Sequence, residues 1–232
     1  MRRVILTTCT CDNWYVNVMK VFLVSLKRSG CDVPVHADII NGNDETHRQL
    51  RGLYPSLEIN SIEIPGEHNW EDDQELVKIF RTRPGQMTRE LEAGWDQVMS
   101  IDCDTIVRRP IDKIWDGVVP GSLKIMDRGK KRKSYNRYQG GVYVWGNSPL
   151  VREFNRVMIE RIGTNFEFFD GQRTKYELMA GEFKDKIQHV QLDRKYNDNH
   201  FGDDSIIWHA KHGSLKRDKF AKEFNRYLSE AK

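Results

Sequence analysis

Val98-Met99-Ser100-Ile101-Asp102-Cys103-Asp104-Thr105-Ile106-Val107 decides the reading of this chain. A short apolar run ends in two carboxylates spaced i, i+2, and apolar residues then resume. On an extended backbone, residues two apart point to the same side. Asp102 and Asp104 are therefore expected to aim at one point just beyond the end of a strand. Two hard oxygen ligands that leave most of a coordination shell open suit Mg²⁺ or Mn²⁺ held jointly with a phosphorylated substrate. That chemistry belongs with a nucleotide diphosphate.

Around this segment, short β-like runs alternate with helical ones. Val4-Ile5-Leu6 reads as a buried strand, and Tyr15, Val18, Met19, Phe22 and Leu26 follow helical spacing up to Ser29-Gly30. Further strands are expected over 35–40, 57–64, 122–126, 141–145, 187–192 and 205–209. Helices are expected over 43–54, 71–81, 87–94, 110–115, 148–162, 172–179 and 216–228. The alternation predicts an α/β protein with a mainly parallel central sheet flanked by helices. In such sheets ligands bind beyond the carboxyl ends of strands, where Asp102 and Asp104 would lie.

Composition narrows the function classes. The 232 residues suit one large domain or two small ones, and 38% hydrophobic with 31% charged content describes a globular protein. A formal net charge of +3 is too small to argue for nucleic acid. No apolar run approaches the roughly 20 residues that span a bilayer. Met1-Arg2-Arg3-Val4-Ile5-Leu6 is basic, but its apolar run stops at Thr7, so no secretory signal is expected and a cytoplasmic location is. Cys9, Cys11, Cys31 and Cys103 show neither zinc-ribbon nor disulfide-framework spacing, and reduced thiols in or near the core are expected.

Three points offer metal ligands. The first is Asp102/Asp104, whose bland reading is a solvated turn. The second is Ile206-Ile207-Trp208-His209-Ala210-Lys211-His212-Gly213-Ser214-Leu215-Lys216, where an apolar strand ends in histidine. A neutral imidazole there would complete a coordination shell, and Lys216 would offset phosphate charge. His209 is better placed than His212, because the strand leads straight into it; either can equally be structural. The third is Asp170-Gly171-Gln172, which opens a helix and is equally explained as a cap, with Asp203-Asp204 further on.

Thr7-Thr8-Cys9-Thr10-Cys11-Asp12-Asn13-Trp14-Tyr15 reads as the link between the first strand and the first helix. Its hydroxyls, aspartate and aromatic rings suit a nucleoside, although Tyr15 can simply pack in the helix face. Neither the Gly-x-Gly-x-x-Gly pattern nor a Walker lysine is present there. The basic run Arg128-Gly129-Lys130-Lys131-Arg132-Lys133 with Tyr135, Asn136, Arg137 and Tyr138 is a solvated loop, or a loop that closes over a diphosphate or binds an anionic or glycan acceptor. Arg81, Arg83 and Arg89 read as a solvated helix face within reach of a phosphate.

Ser100 to Trp115 resembles the D-x-D region of GT-A glycosyltransferases, in particular glycosyltransferase family 8, the group containing glycogenin and the lipopolysaccharide galactosyltransferases. Thr7 to Leu26 is similar to that family's opening strand, nucleotide loop and helix. Gln139-Gly140-Gly141-Val142-Tyr143-Val144 is similar to its Asn-Ser-Gly-Val segment, with Gln139-Gly140 in place of Asn-Ser. Asp170-Gly171-Gln172 resembles its Asp-Gln helix start with one glycine added, and His209 to Lys216 its closing His-x-x-Gly-x-x-Lys with one residue added.

The resemblance implies a single GT-A domain over 1–232, with 1–107 as the nucleotide-binding half and 108–232 as the acceptor-side half. It implies a Rossmann-like nucleotide-diphospho-sugar transferase that moves a sugar from a UDP-sugar to a glycan or glycoconjugate acceptor, with retention. Asp102, Asp104 and His209 would hold Mn²⁺ or Mg²⁺. Tyr15 would stack on uracil, Thr8 and Asp12 would contact base or ribose, and Lys216 the phosphates. Gln139 with Asp170 or Gln172 would face the donor sugar. An inverting enzyme would instead need a carboxylate base, for which Asp170, Asp203 and Asp204 are candidates.

Two rival readings remain. A haloacid dehalogenase-type phosphatase also ends a strand in D-x-D-x-T, but Ile106 stands here where threonine is required. A non-catalytic nucleotide- or carbohydrate-binding module is the other.

Overall fold

The structure is a computed structural model that describes residues 1–11, 13–66, 73–129, 131–133, 137–162, 170–210 and 218–231. Its strands are β1 (Arg3–Thr10), β2 (Val35–Ile40), β3 (Leu57–Ile62), β4 (Gln97–Ile101), β5 (Thr105–Val107), β6 (Ser122–Asp127), β7 (Tyr138–Gly146), β8 (Gln188–Gln191) and β9 (Ile207–His209). Its α-helices are α1 (Asn13–Arg28), α2 (Asp44–Leu53), α3 (Asp73–Glu92), α4 (Pro149–Ile162), α5 (Asp170–Ala180) and α6 (Asp218–Glu230). The protein is α/β: a seven-stranded sheet of order β3-β2-β1-β4-β7-β6-β8 is flanked by helices, and β5 and β9 form a separate two-stranded sheet. β1 with β4, β2 with β3 and β6 with β8 pair parallel, and β6 with β7 antiparallel. The expected mainly parallel sheet is therefore present. Among the described residues, no helix is long and apolar enough to cross a membrane.

The chain divides into two compact units. One comprises 1–6, 65–100 and 115–192. Its core joins Val4, Leu6 and Val98 from β1 and β4 to Trp145, Phe154, Leu178 and Phe183. Phe154 anchors it, with ring centroids 5.1 Å from Trp145 and 5.0 Å from Phe183. Truncating such a fully buried aromatic costs about 3–5 kcal/mol.

The other unit comprises 7–64, 101–114 and 193–232. Helix α1 lies at its centre, with Val18, Met19, Val21, Phe22, Leu23 and Leu26 all buried. A helix apolar on nearly every side must be covered on every side, and β5, α2 and α6 pack against it. Ser25 ties α1 to β5: its hydroxyl donates to Phe22 O at 2.9 Å and accepts the Val107 N–H at 3.0 Å. Helix α2 lies within the expected 43–54, and of its two acidic or amide starters it is the Asn43 side chain that caps it, accepting the Thr46 N–H at 2.8 Å. All four cysteines are free thiols, with Cys9 and Cys103 buried.

Three elements differ from expectation. Thr7 to Thr10 do not leave the first strand; they continue β1 and are buried. Branched threonines fit a covered strand as well as a loop, and pairing runs on to a Cys11 N–H donated to Ile40 O at 2.9 Å. Helix α3 is one helix where two were expected, with Pro84 inside it. An interior proline costs about 3 kcal/mol, but Met87 and Leu91, on the core side just beyond it, each contribute about 1.5–3 kcal/mol by burial. Gln139 and Gly140 lie within β7, not ahead of it. A register shift between Ile125 and Met126 lets β6 keep pairing with this longer strand.

Candidate metal centre

Strand β4 ends at Ile101, the chain turns through Asp102-Cys103-Asp104, and β5 begins at Thr105. The turn is closed locally by the Thr105 hydroxyl, which donates to Asp102 O at 2.9 Å. Strand β9 then brings in its last residue from far along the chain. It pairs antiparallel with β5 so that His209 stands opposite Thr105, and the Ala210 N–H donates to Asp104 O at 2.9 Å. Both aspartates therefore meet the imidazole. His209 Nε2 lies 3.2 Å from Asp102 Oδ2 and 3.3 Å from Asp104 Oδ1.

One ligand atom from each of Asp102, Asp104 and His209 lies within 4.8 Å of the other two. Of the three points singled out in the sequence, this first merges with the second. Among the described residues no other group of three acidic, histidine or cysteine side chains converges so closely. Two carboxylate oxygens and one imidazole nitrogen form a donor set that fits Mn²⁺ or Mg²⁺, with the remaining positions left for water or phosphate. Exposure grades across the site: His209 is 7% exposed, Asp102 16% and Asp104 28%. The carboxylates are thus more accessible than the imidazole.

The electrostatics are those of a cation site. Burial by itself pushes the His209 imidazole down, but the carboxylates of Asp104 and Asp102 outweigh it and raise the ring to about 10. Two anions around one buried ring hold a positive charge between them.

A residue the sequence reading missed completes the arrangement. Asn197 Oδ1 lies 2.8 Å from His209 Nδ1, on the far side of the ring from the carboxylates. The sequence carried only a turn signal here, in Asn197-Asp198-Asn199. The turn is built tightly. Asp198 Oδ1 accepts the His200 N–H at 2.9 Å, and Oδ2 accepts the Gly202 N–H at 2.7 Å and the Ser205 hydroxyl at 2.5 Å. Burial opposes ionisation of this carboxylate, but these three donors keep it below the usual carboxylate range. Phe201 adopts φ 59°, a conformation that few side chains take, and its ring packs on Trp208 and Phe220. Arg108 lies 3.9 Å over Trp208 and donates to Gly202 O at 3.1 Å, locking the turn to the chain after β5.

The other expected residues sort as follows. Thr8 is 2% exposed within β1. Tyr15 is half-buried in the first turn of α1, where its carbonyl accepts from the Cys9 thiol at 3.2 Å. Asp203 and Asp204 sit on the surface, paired with Lys219 at 2.6 Å and Lys195 at 3.1 Å. They do not join the metal cluster. Gln139 is 4% exposed and accepts from Arg128 Nε at 3.3 Å. Gln172 lies against Gly140: a Cβ on Gly140 would approach its Cγ to 3.1 Å. Gln172 thus packs over Gly140 of β7, whereas the side chain of Gln139, one residue earlier on the strand, points to the other face. Asp170 opens α5 as expected. The hairpin after β6 is pinned by Asp127, which pairs with Arg137 and accepts the Gly129 N–H at 2.7 Å. Arg89 pairs with Glu90 at 3.2 Å. Asp12, Lys130, Tyr135, Asn136, His212 and Lys216 lie outside the described residues, as do the side chains of Arg81 and Asp170.

Neither a protein-family model nor a curated protein matches the sequence. Solved structures do match the fold. The chain is similar to the glycosyltransferase GlyE of Streptococcus pneumoniae TIGR4, with a TM-score of 0.64 and 14% identity, over 99% of this chain and 63% of GlyE. It is also similar to the galactosyltransferase LgtC, solved in complex with donor and acceptor sugar analogs, with a TM-score of 0.63 and 13% identity, over 98% of this chain and 95% of LgtC. The chain thus spans less than two thirds of the length of GlyE. At these identities the likeness is one of fold, and the fold is that of GT-A glycosyltransferases.

Proposed function

We propose that this chain is a metal-dependent glycosyltransferase that moves a sugar from a UDP-sugar to a glycan or other hydroxyl acceptor, with retention. The observation that carries the reading is the convergence of Asp102, Asp104 and His209 where β4 ends, β5 begins and β9 ends, within a fold that glycosyltransferases share. The three side chains would hold Mn²⁺ or Mg²⁺. When bound, such an ion neutralises the charge that develops on a departing nucleoside diphosphate.

The remaining roles belong to the chain's own residues. Tyr15, at the entry to α1 and half-buried, would stack its ring on the base. Thr8 and Asp12, just before that helix, would bond base or ribose, and Lys216 would face the phosphates. Gln139 with Asp170 or Gln172 would orient the donor sugar, and of these Gln172 lies against Gly140 of β7. Positioning of the acceptor hydroxyl contributes much of the remaining rate enhancement in such a reaction.

Isothermal titration with UDP, with and without Mn²⁺, tests the reading. UDP binding that requires Mn²⁺, followed by slow metal-dependent hydrolysis of one member of a UDP- and GDP-sugar panel, is the expected result. Phosphatase activity on a simple aryl phosphate with no UDP affinity would overturn it. Binding without any donor hydrolysis would reduce the chain to a binding module.

A further inference from the structure

Three consecutive residues each hold a different part of His209. Asn197 Oδ1 lies 2.8 Å from the ring Nδ1, the Asp198 carbonyl accepts the His209 N–H at 2.9 Å, and Asn199 Nδ2 donates to the His209 carbonyl at 3.0 Å. The latter two bonds fix the backbone at the end of β9. The first alone reaches the imidazole from behind. Asn197 and His209 are both buried, so bulk water does not compete for the contact between them.

The chemistry of the two groups gives that contact a direction. An amide oxygen only accepts, so ring nitrogen Nδ1 must carry a proton to meet it. The ring would ligate a cation only after giving up any proton on Nε2; with its one remaining N–H on Nδ1, the lone pair then sits on Nε2. That is the nitrogen 3.2 Å from Asp102 Oδ2 and 3.3 Å from Asp104 Oδ1. A ring flipped about Cβ–Cγ would turn a carbon toward Asn197 and move its nitrogens off the carboxylates. Asn197 can hold its place because the turn after it is braced by the Asp198 carboxylate, whose bonds to His200, Gly202 and Ser205 do not depend on the site.

We infer that Asn197 is the positioning residue of the metal centre: it holds His209 in the Nδ1–H form so that Nε2 is presented to the cation beside Asp102 and Asp104. The inference rests on the metal-binding reading proposed above. Partners of this kind behind a ligating histidine typically change metal affinity 10- to 100-fold when removed.

The test uses the full chain and Mn²⁺ alone, titrated by electron paramagnetic resonance. The variant N197L, similar in shape but without an acceptor, is expected to bind Mn²⁺ about 10- to 100-fold more weakly than the parent. N197D keeps an acceptor at the same position and is expected to stay close to the parent. Long-range ¹H–¹⁵N spectra with Zn²⁺ as a diamagnetic probe should show a single Nδ1–H form of His209 in the parent and N197D, and a tautomer mixture in N197L. A purely structural role would lower the melting temperature without changing that spectrum. Should N197L not fold, N197S, whose hydroxyl is too short to reach the ring, replaces it under the same criteria. Parent-like Mn²⁺ affinity in N197L, or an equal loss in N197D, overturns the inference. Absence of Mn²⁺ binding by the parent overturns the metal reading itself.

Discussion

His209 Nε2 lies 3.2 Å from Asp102 Oδ2, although Asp102 sits in the turn after β4 and His209 ends β9, far along the chain. The pairing of β5 with β9 creates this contact. Each carboxylate is partly exposed, and the ring is buried. The order of burial sets which residues respond to a ligand and which hold the frame.

Asp104 is the more exposed of the two carboxylates, and its side chain is paired with His209. Asp104→Ala is therefore expected to abolish Mn²⁺-dependent UDP binding while leaving the circular dichroism spectrum unchanged. Calorimetric titration of the variant in Mn²⁺ checks this, and unchanged UDP affinity would remove the site.

Tyr15 is half-buried in the first turn of α1. Tyr15→Ala should weaken UDP binding by about 1–3 kcal/mol if the ring stacks on the base. Thermal melting without ligand separates the alternatives: an equal loss of stability would make Tyr15 a packing residue only.

A methyl group on Gly140 meets Cγ, Cδ and Nε2 of Gln172 at 3.1, 3.2 and 3.3 Å. Gln172 is flexible at its far end, so Gly140→Ala should displace that side chain by a few tenths of an ångström at a stability cost within about 1 kcal/mol. Donor hydrolysis should fall while UDP affinity in Mn²⁺ stays constant. A fall in both would place Gln172 away from the sugar.

The Asp198 carboxylate is held below its ordinary range by the Ser205 hydroxyl and the His200 and Gly202 N–H groups, which outweigh its burial. A carboxylate whose folded pKa is depressed stabilises the fold above its unfolded pKa of about 3.9, and loses that contribution as pH falls through the folded value. Urea midpoints measured from pH 6 down to pH 2 should therefore drop steeply in the parent. Asp198→Asn should cost about 1–3 kcal/mol at pH 7, because three donors lose a charged partner, and its midpoints should fall less across the acid range.

Much of the fold was legible because it follows from local rules. The position of α2, the apolar spacing of α1, and strands β2, β4 and β6 were readable from residue pattern alone, and each lies where the pattern places it. Pro84 misled because propensity is local, while the burial of Met87 and Leu91 that outweighs it depends on residues from other elements. Thr7 to Thr10 misled because threonine suits both a ligand loop and a covered strand, and only the neighbouring strands decide between them.

The candidate site divides in the same way. Asp102-Cys103-Asp104 at the end of an apolar run, and His209 at the end of another, are properties of the sequence: hydrophobic periodicity ends where a strand ends, and polar ligands stand at those ends. Tertiary structure alone decided that the two ends meet, through the antiparallel pairing of β5 and β9. It alone placed Asn197 behind the imidazole and set Asp203 and Asp204 apart on the surface. The physical reason is that periodicity is encoded residue by residue, whereas a distance between remote side chains depends on strand register, which the packing of the whole chain selects.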